Sequence, residues 1–221
     1  MLTINPQKET EKIVQFLRQT LKKQGFQKLV IALSGGVDSA TSAFLAARAI
    51  GVKNLYVLQL PYNGQNTRLS DLVIKKLKIP AENIIKIEIT PIADTIINVV
   101  KAADPVRKGN IMVRVRMIII FDTAKRLKAL VCGTENRSEQ LLGYFTRFGD
   151  AASDLEPIVH LYKTQVWQLA KYLGIPKPVI AAKPTAGLWP DQTDEKELGF
   201  NYQEADEVLQ ALFDKKMKLE E

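Results

Sequence analysis

One cysteine, Cys132, and one histidine, His160, are all that 221 residues contain of either type. A single thiol excludes an internal disulfide framework and a four-cysteine zinc site. A single imidazole argues against a histidine-based metal centre or a Ser-His-Asp triad. No run of five or six like charges occurs, so the net charge of +7 is spread along the chain and not gathered in a tail. No apolar run is longer than that at residues 117–121, which is far too short to span a bilayer. No secretory h-region or cleavage pattern appears in the first residues, and the expected location is cytoplasmic with no membrane partner. No repeat with a period of 20–50 residues is present.

What is present is ordinary soluble composition, 46% hydrophobic and 25% charged. Asn5-Pro6 reads as a helix cap followed by a first-turn proline. Ile13, Phe16, Leu17 and Leu21 then recur at helical spacing up to Gly25. Short apolar strands are expected at 29–33, 55–60, 84–89 and 129–132. Helices are expected between them, at about 38–50, 69–77 and from Pro91 to about 102, with a polar break at 104–108 and a long helix at about 110–128. Two more follow at 162–173 and about 202–216. Strands alternating with helices predict an α/β fold: a doubly wound parallel sheet with helices on both faces. The whole of 1–221 is expected to form one domain. Residues 177–199, with Pro178, Pro184 and Pro190 beside Pro176, are too long for a plain connector and read as a lid.

The first strand runs directly into Ser34-Gly35-Gly36-Val37-Asp38-Ser39 and then into a helix. In an open parallel sheet, ligands bind beyond the carboxyl ends of the strands. Two glycines permit a tight turn and close backbone approach, and successive amides at a helix start attract phosphate. Asp38 would repel phosphate unless a metal sits between them. The Walker pattern and the dinucleotide G-x-G-x-x-G fingerprint are both absent. SGGVDS resembles instead the pyrophosphate loop of the ATP pyrophosphatases, Rossmann-like enzymes of the adenine nucleotide alpha hydrolase type.

Four further stretches extend the resemblance: KGNIMVRVRM (108–117), CGTENRSEQLLGYFTRFGDAASDLEPI (132–158), HLYKTQVWQLAKYLG (160–174) and KPTAGLWPDQTDEKELGFNY (183–202). Together they resemble the NAD synthetase family in its ammonia-dependent form, over nearly the whole chain. The resemblance implies a ligase that uses ATP to adenylate the nicotinate carboxylate of deamido-NAD, then lets ammonia displace AMP to give NAD. It implies that Ala32, Leu33, Ser34, Gly35, Gly36, Val37, Asp38 and Ser39 cradle ATP, joined by Thr134, Lys163 and Thr185. Asp38 and Glu139 would hold Mg²⁺. Arg114, Arg147 and Asp154 would contact deamido-NAD. No protein nucleophile is required, in keeping with one cysteine and one histidine. A homodimer is implied as well, and the helix at 110–128 agrees. Ile111, Met112, Val115, Ile118, Ile119, Ile120 and Phe121 make it apolar on more than one face. The alternative is that the first helix covers it within one chain.

Each residue also has a plainer reading. Arg114 could belong to a solvated helix face, Glu135 and Glu139 could be surface carboxylates, and Asp154 could cap a turn. Lys163 in the first turn of a helix opposes the helix dipole, which hints at an anionic partner. His160 and Cys132 are expected to be structural, Trp167 to pack, and Trp189 to belong to the lid. The sequence departs from the family at Gln59, where an Arg is usual, and Gln65 is the substitute expected on the adenylate side. Many members continue past the last helix into a basic pair that touches deamido-NAD. Here the tail is dispensable, replaced by another segment, or shortened. No glutaminase domain precedes residue 1, so free ammonia is the expected nitrogen donor, and a separate glutaminase partner stays open. The rival readings are another ATP pyrophosphatase that modifies tRNA, or a non-catalytic nucleotide-binding protein. The first usually needs paired cysteines or an RNA-binding domain, and no nucleic-acid partner is expected.

Overall fold

The computed structural model describes residues 2–217. Its frame is a four-stranded parallel sheet of β1 (Lys28–Ala32), β2 (Leu55–Gln59), β3 (Ile84–Lys86) and β4 (Ala129–Val131), in the order β3-β2-β1-β4. Val30 on the central strand lies opposite Tyr56 of β2 and Val131 of β4. Alternate residues of β1 enter different cores, because successive strand side chains point to opposite faces. Leu29 and Ile31 pack with Leu17 and Leu21 of α1 (Pro6–Gln24), Phe44 and Leu45 of α2 (Val37–Ile50), and Val73 of α3 (Arg68–Leu77). Val30 and Leu58 pack on the other face with Ile97 of α4 (Thr90–Val99) and with Met112, Val115 and Ala124 of α5 (Pro105–Leu127). The remaining helices are α6 (Arg137–Leu142), α7 (Lys163–Leu173), α8 (Lys177–Ile180), α9 (Asp194–Leu198) and α10 (Tyr202–Leu209). This is the expected doubly wound sheet with helices on both faces.

From β1 the chain steps outward to β2 and β3, then returns to place β4 on the other side of β1. The carboxyl ends of β1 and β4 therefore flank the crevice where the winding direction reverses. That crevice is the natural ligand site of such sheets.

Several boundaries differ from the sequence pattern for local reasons. The stretch 104–108 is no break: Asp104 accepts from the Arg107 amide, Pro105 fits the first turn, and α5 starts there. β3 ends at Lys86, but Ile87 and Ile89 still donate to Gln59 and Pro61 carbonyls at 3.0 and 2.9 Å, extending the apolar run to 89. α10 ends at Leu209 and passes into a wider π turn over Gln210–Asp214. Residues 177–199 carry two short helices, α8 and α9. α6, absent from the sequence reading, is held by a reciprocal capping box between Asn136 and Glu139.

The alternative cover for α5 is ruled out by placement. α1 packs with α2 and α7 on the opposite face of the sheet. The α4–α5 face is left with Val99 at 76% and Ile118 at 58% exposure, beside exposed Ile92, Val100 and Val106.

Candidate active site

The loop after β1 is shaped by close packing. Gly35 has φ +95°, and a Cβ there would lie 2.9 Å from Leu69 Cβ and 3.1 Å from the Ser70 nitrogen. The first turn of α3 thus rests on the glycine, which no L side chain could replace without strain. Gly36 caps α2 and brings no side-chain acceptor for the first-turn amides, unlike Asn5, Asp104 and Asn136 on their own helices. The Ser34 and Ser39 hydroxyls lie 3.0 Å apart, and Ser39 donates to the Gly36 carbonyl at 3.1 Å. Ala40, Thr41, Ser42 and Ala43 are fully buried, and their small size lets α2 sit deep with its first turn at the crevice.

Residues 32–39 line a cavity of about 470 Å³ together with Thr134, Glu139, Lys163 and Thr185. Every ATP contact expected from sequence therefore meets in one cleft. Its inner end is ionic. The Lys163 ammonium donates to Asp38 Oδ2 at 2.6 Å and to Glu139 Oε1 at 3.1 Å, with its side chain only 2% exposed. The same ammonium lies 4.9 Å from the centre of the Tyr202 ring. Asp38 Oδ1 accepts from Asn136 Nδ2 at 3.1 Å, which joins the β1 loop to the cap of α6. Tyr202 donates to Asp194 Oδ2 at 3.0 Å, and Asp194 Oδ1 is buried without a hydrogen-bond partner.

Burial works against charge on Lys163, but Asp38 and Glu139 outweigh it and hold the ammonium above the ordinary lysine range. Burial pushes the Glu139 carboxyl up, and the pull of Lys163 offsets only part of that rise. The position of Lys163 at a helix start is resolved by carboxylates of the chain itself. Besides Asp38 and Glu139, the fully buried Asp206 of α10 accepts from the Thr164 amide at 2.8 Å, and Ser138 Oγ accepts from the Lys163 amide at 2.9 Å.

The NAD synthase family model matches residues 9–221. The chain belongs to the NAD synthase family. The NH(3)-dependent NAD(+) synthetase of Fusobacterium nucleatum is 44% identical over 223 residues, covering 100% of this chain and 85% of the relative. Among solved structures, an NMN synthetase from Francisella tularensis is 35% identical with a TM-score of 0.87, covering 95% of this chain and 87% of that one. The NH3-dependent NAD synthetase of Campylobacter jejuni, solved with a nitrate ion, is 33% identical with a TM-score of 0.82, covering 98% and 87%.

Other parts of this NAD synthase-family cleft were not legible in advance. Beneath Thr134, the Glu156 carboxyl fills the space that a Gly133 Cβ would need, 1.8 Å from its Oε1. Glu156 accepts from the Glu135 amide at 3.1 Å and the Ser153 hydroxyl at 2.7 Å. Burial pushes the carboxyls of Glu135 and Glu156 up to about 7 each. Arg116 lines the cavity, donating to the Leu60 carbonyl and to Gln65 Oε1 at 3.0 Å each. Its signal was available: Arg116 follows buried Met112 and Val113 by four and three residues, on one helix face. Gln65 also donates to the Gly187 carbonyl, tying the loop after β2 to the 177–199 segment. Gln59 lines the cavity, but its amide is committed to Ser70 and Asp71 at 2.7 Å each.

The three expected deamido-NAD contacts lie outside this cavity. Arg114 is exposed and donates to the Arg147 carbonyl at 3.2 Å. The Arg147 guanidinium stacks over the Phe148 ring at 4.7 Å. Asp154 accepts from the Val131 amide at 2.7 Å and so caps the end of β4. Thr185 folds the 177–199 segment, donating to the Gln192 carbonyl at 2.7 Å and accepting from the Gly187 amide at 3.0 Å. Trp189 packs over α5, where a Cβ on Gly109 would meet its ring at 3.3 Å. Trp167 meets Tyr202 edge-on at 6.2 Å. His160 pairs with Glu9 of α1 at 2.5 Å, and buried Cys132 has its thiol pushed up by burial. Cys132 lies in the core and Trp167 packs against it, while His160 ties α1 to the segment before α7 through Glu9.

Proposed function

We propose that this chain is an ammonia-dependent NAD synthetase that adenylates the nicotinate carboxylate of deamido-NAD and amidates it, releasing AMP and pyrophosphate. Membership of the family makes it an ATP-consuming ligase. The observation that carries the reading is the convergence of the 34–39 loop, Asp38, Glu139 and Lys163 on one cavity at the crevice of the sheet. The loop amides and Ser34 and Ser39 are the groups that would hold the triphosphate, with the α2 dipole favouring its charge. The carboxylate oxygen attacks the α-phosphorus, the bond to the pyrophosphate oxygen breaks, and the cations of the cleft stabilise the charge that develops. Ammonia then attacks the acyl carbon, AMP leaves, and the surplus proton passes to a base such as the Glu135–Glu156 pair.

Mg²⁺ is part of the proposal. Among the described residues no group of three His, Cys, Asp or Glu side chains could hold a metal unaided. Asp38 and Glu139 suit an ion that takes two carboxylates and completes its shell with phosphate oxygens and water. When bound, it would neutralise phosphate charge in the transition state.

The test is mass detection of NAD after mixing the protein with ATP, Mg²⁺, deamido-NAD and ammonium. Product that requires all four supports the reading, and pyrophosphate release without amide product counts against it. A second reading follows from the likeness to the Francisella NMN synthetase: the acid form of that mononucleotide could be the substrate amidated. Comparing kcat/KM on the two acids separates them.

The exposed α4–α5 face is read as a homodimer contact. Replacing Ile118 by Glu should then yield a monomer in sedimentation. The chain is taken as one domain with a lid at 177–199, placed in the cytoplasm. No helix among the described residues is long and apolar enough to cross a membrane.

A further inference from the structure

We propose that Lys163 is an internal stand-in for the divalent ion: in the nucleotide-free protein its ammonium occupies the place between Asp38 and Glu139, so metal enters only together with nucleotide. The inference rests on the reading of Asp38 and Glu139 as metal ligands and concerns how that site is kept before ATP arrives.

Three observations carry it. The ammonium touches both carboxylates, at 2.6 and 3.1 Å. A cation that bridges two carboxylates satisfies the same oxygens a small divalent ion would need. Next, the lysine is held there and is not merely passing. Its side chain is 2% exposed, its ammonium faces the Tyr202 ring at 4.9 Å, and its backbone amide is fixed by Ser138. Last, the remaining oxygens are also engaged. Asp38 Oδ1 accepts from Asn136, and Glu139 Oε2 lies 3.4 Å from the Asn136 amide.

A divalent ion approaching alone therefore meets a fixed positive charge and two carboxylates whose oxygens are already bonded. A triphosphate changes both conditions. It offers the ammonium a new anionic partner, and it brings oxygen ligands that the ion lacks in the protein. Lys163 lines the same cavity as the 34–39 loop, so its ammonium borders the space proposed for the phosphates. The arrangement also keeps two partly buried carboxylates from facing each other unneutralised.

The experiment is Mn²⁺ binding to nucleotide-free protein, read by electron paramagnetic resonance. Wild type should bind weakly. Lys163→Met should bind at least about tenfold more tightly, because two carboxylates are left for the ion. Adding Asp38→Asn to that variant should return binding to the weak level. Wild type binding Mn²⁺ as tightly as Lys163→Met, without nucleotide, overturns the proposal. A parallel arm uses a non-hydrolysable ATP analogue, corrected for metal held by the analogue alone. If Asp38→Asn binds metal and analogue as well as wild type, the ligand reading itself falls. If it binds them more weakly while Lys163→Met gains nothing, only the stand-in role falls. Thermal unfolding covers the case in which Lys163→Met is barely folded. Mg²⁺ without nucleotide should raise its melting temperature relative to chelator, and wild type should not move. No difference between the two proteins again overturns the proposal.

Discussion

Lys163 and Arg114 are both cations on helices beside the cleft, and the protein treats them in opposite ways. Lys163 is enclosed by Asp38, Glu139 and the Tyr202 ring. Arg114 stands in solvent with a hydrogen bond to the Arg147 carbonyl. The inner charge is held in place by residues from the start of α2, from α6 and from α10, and its removal strands two partly buried carboxylates. The outer charge can be removed without leaving anything buried unpaired. The inner end of the cleft is thus preorganised at a cost in desolvation, while Arg114 at the outer rim stays solvated.

The strongest way to test the contrast is at Asp38. Asp38→Ala should lower the rate of pyrophosphate release by about a thousandfold or more while far-ultraviolet circular dichroism stays native. Turnover near wild type would put both ends of the cleft on the same footing. Gly35→Ala is next. The positive φ and the 2.9 Å approach to Leu69 should lower unfolding free energy by about 1–3 kcal/mol in urea titration. A neutral result would show that α3 can retreat from the loop. Arg114→Ala should raise KM for deamido-NAD about tenfold, with kcat, KM for ATP and stability little changed. An effect confined to ATP would reassign Arg114 to the inner end.

The smallest effect concerns the acids below Thr134. Glu156 ionises near 4.5 when unfolded and is pushed up to about 7 by burial in the folded chain. As pH rises past the lower value the unfolded chain loses its proton first, so this group's contribution to stability is complete below about 4.5 and is lost by about 7. Glu156→Gln should flatten the fall in stability across that window, followed by denaturant titration at several pH values. A slope identical to wild type would mean that the carboxyl is solvated, as Arg114 is.

The parts of this comparison were unequally readable in the linear chain. The 34–39 loop was readable because strand, glycine pair and helix start are contiguous, and each depends on backbone preferences of a few residues. Asn136 to Glu139 carries a capping-box spacing just as local, although it takes the fold to aim that cap at Asp38. Arg116 was harder to see, because Arg114 two residues earlier carries the same charge and only helix orientation separates them. Glu156 beneath Gly133 left no trace in spacing: one residue is small so that another, 23 positions later, can fill its volume. The covering of α5 was legible as a question and not as an answer, since an apolar stripe does not say which surface meets it.

Residue order alone specified the alternation of strands and helices, the glycine turn and the helix caps, because these arise from interactions within about one helical turn. It could not specify that Lys163 would be buried against Asp38, 125 residues away, and Glu139, 24 residues away. That depended on the reversal of winding between β1 and β4, which brings their carboxyl ends together. Whether a charge ends in water or in a salt bridge is settled by what the packed chain places around it.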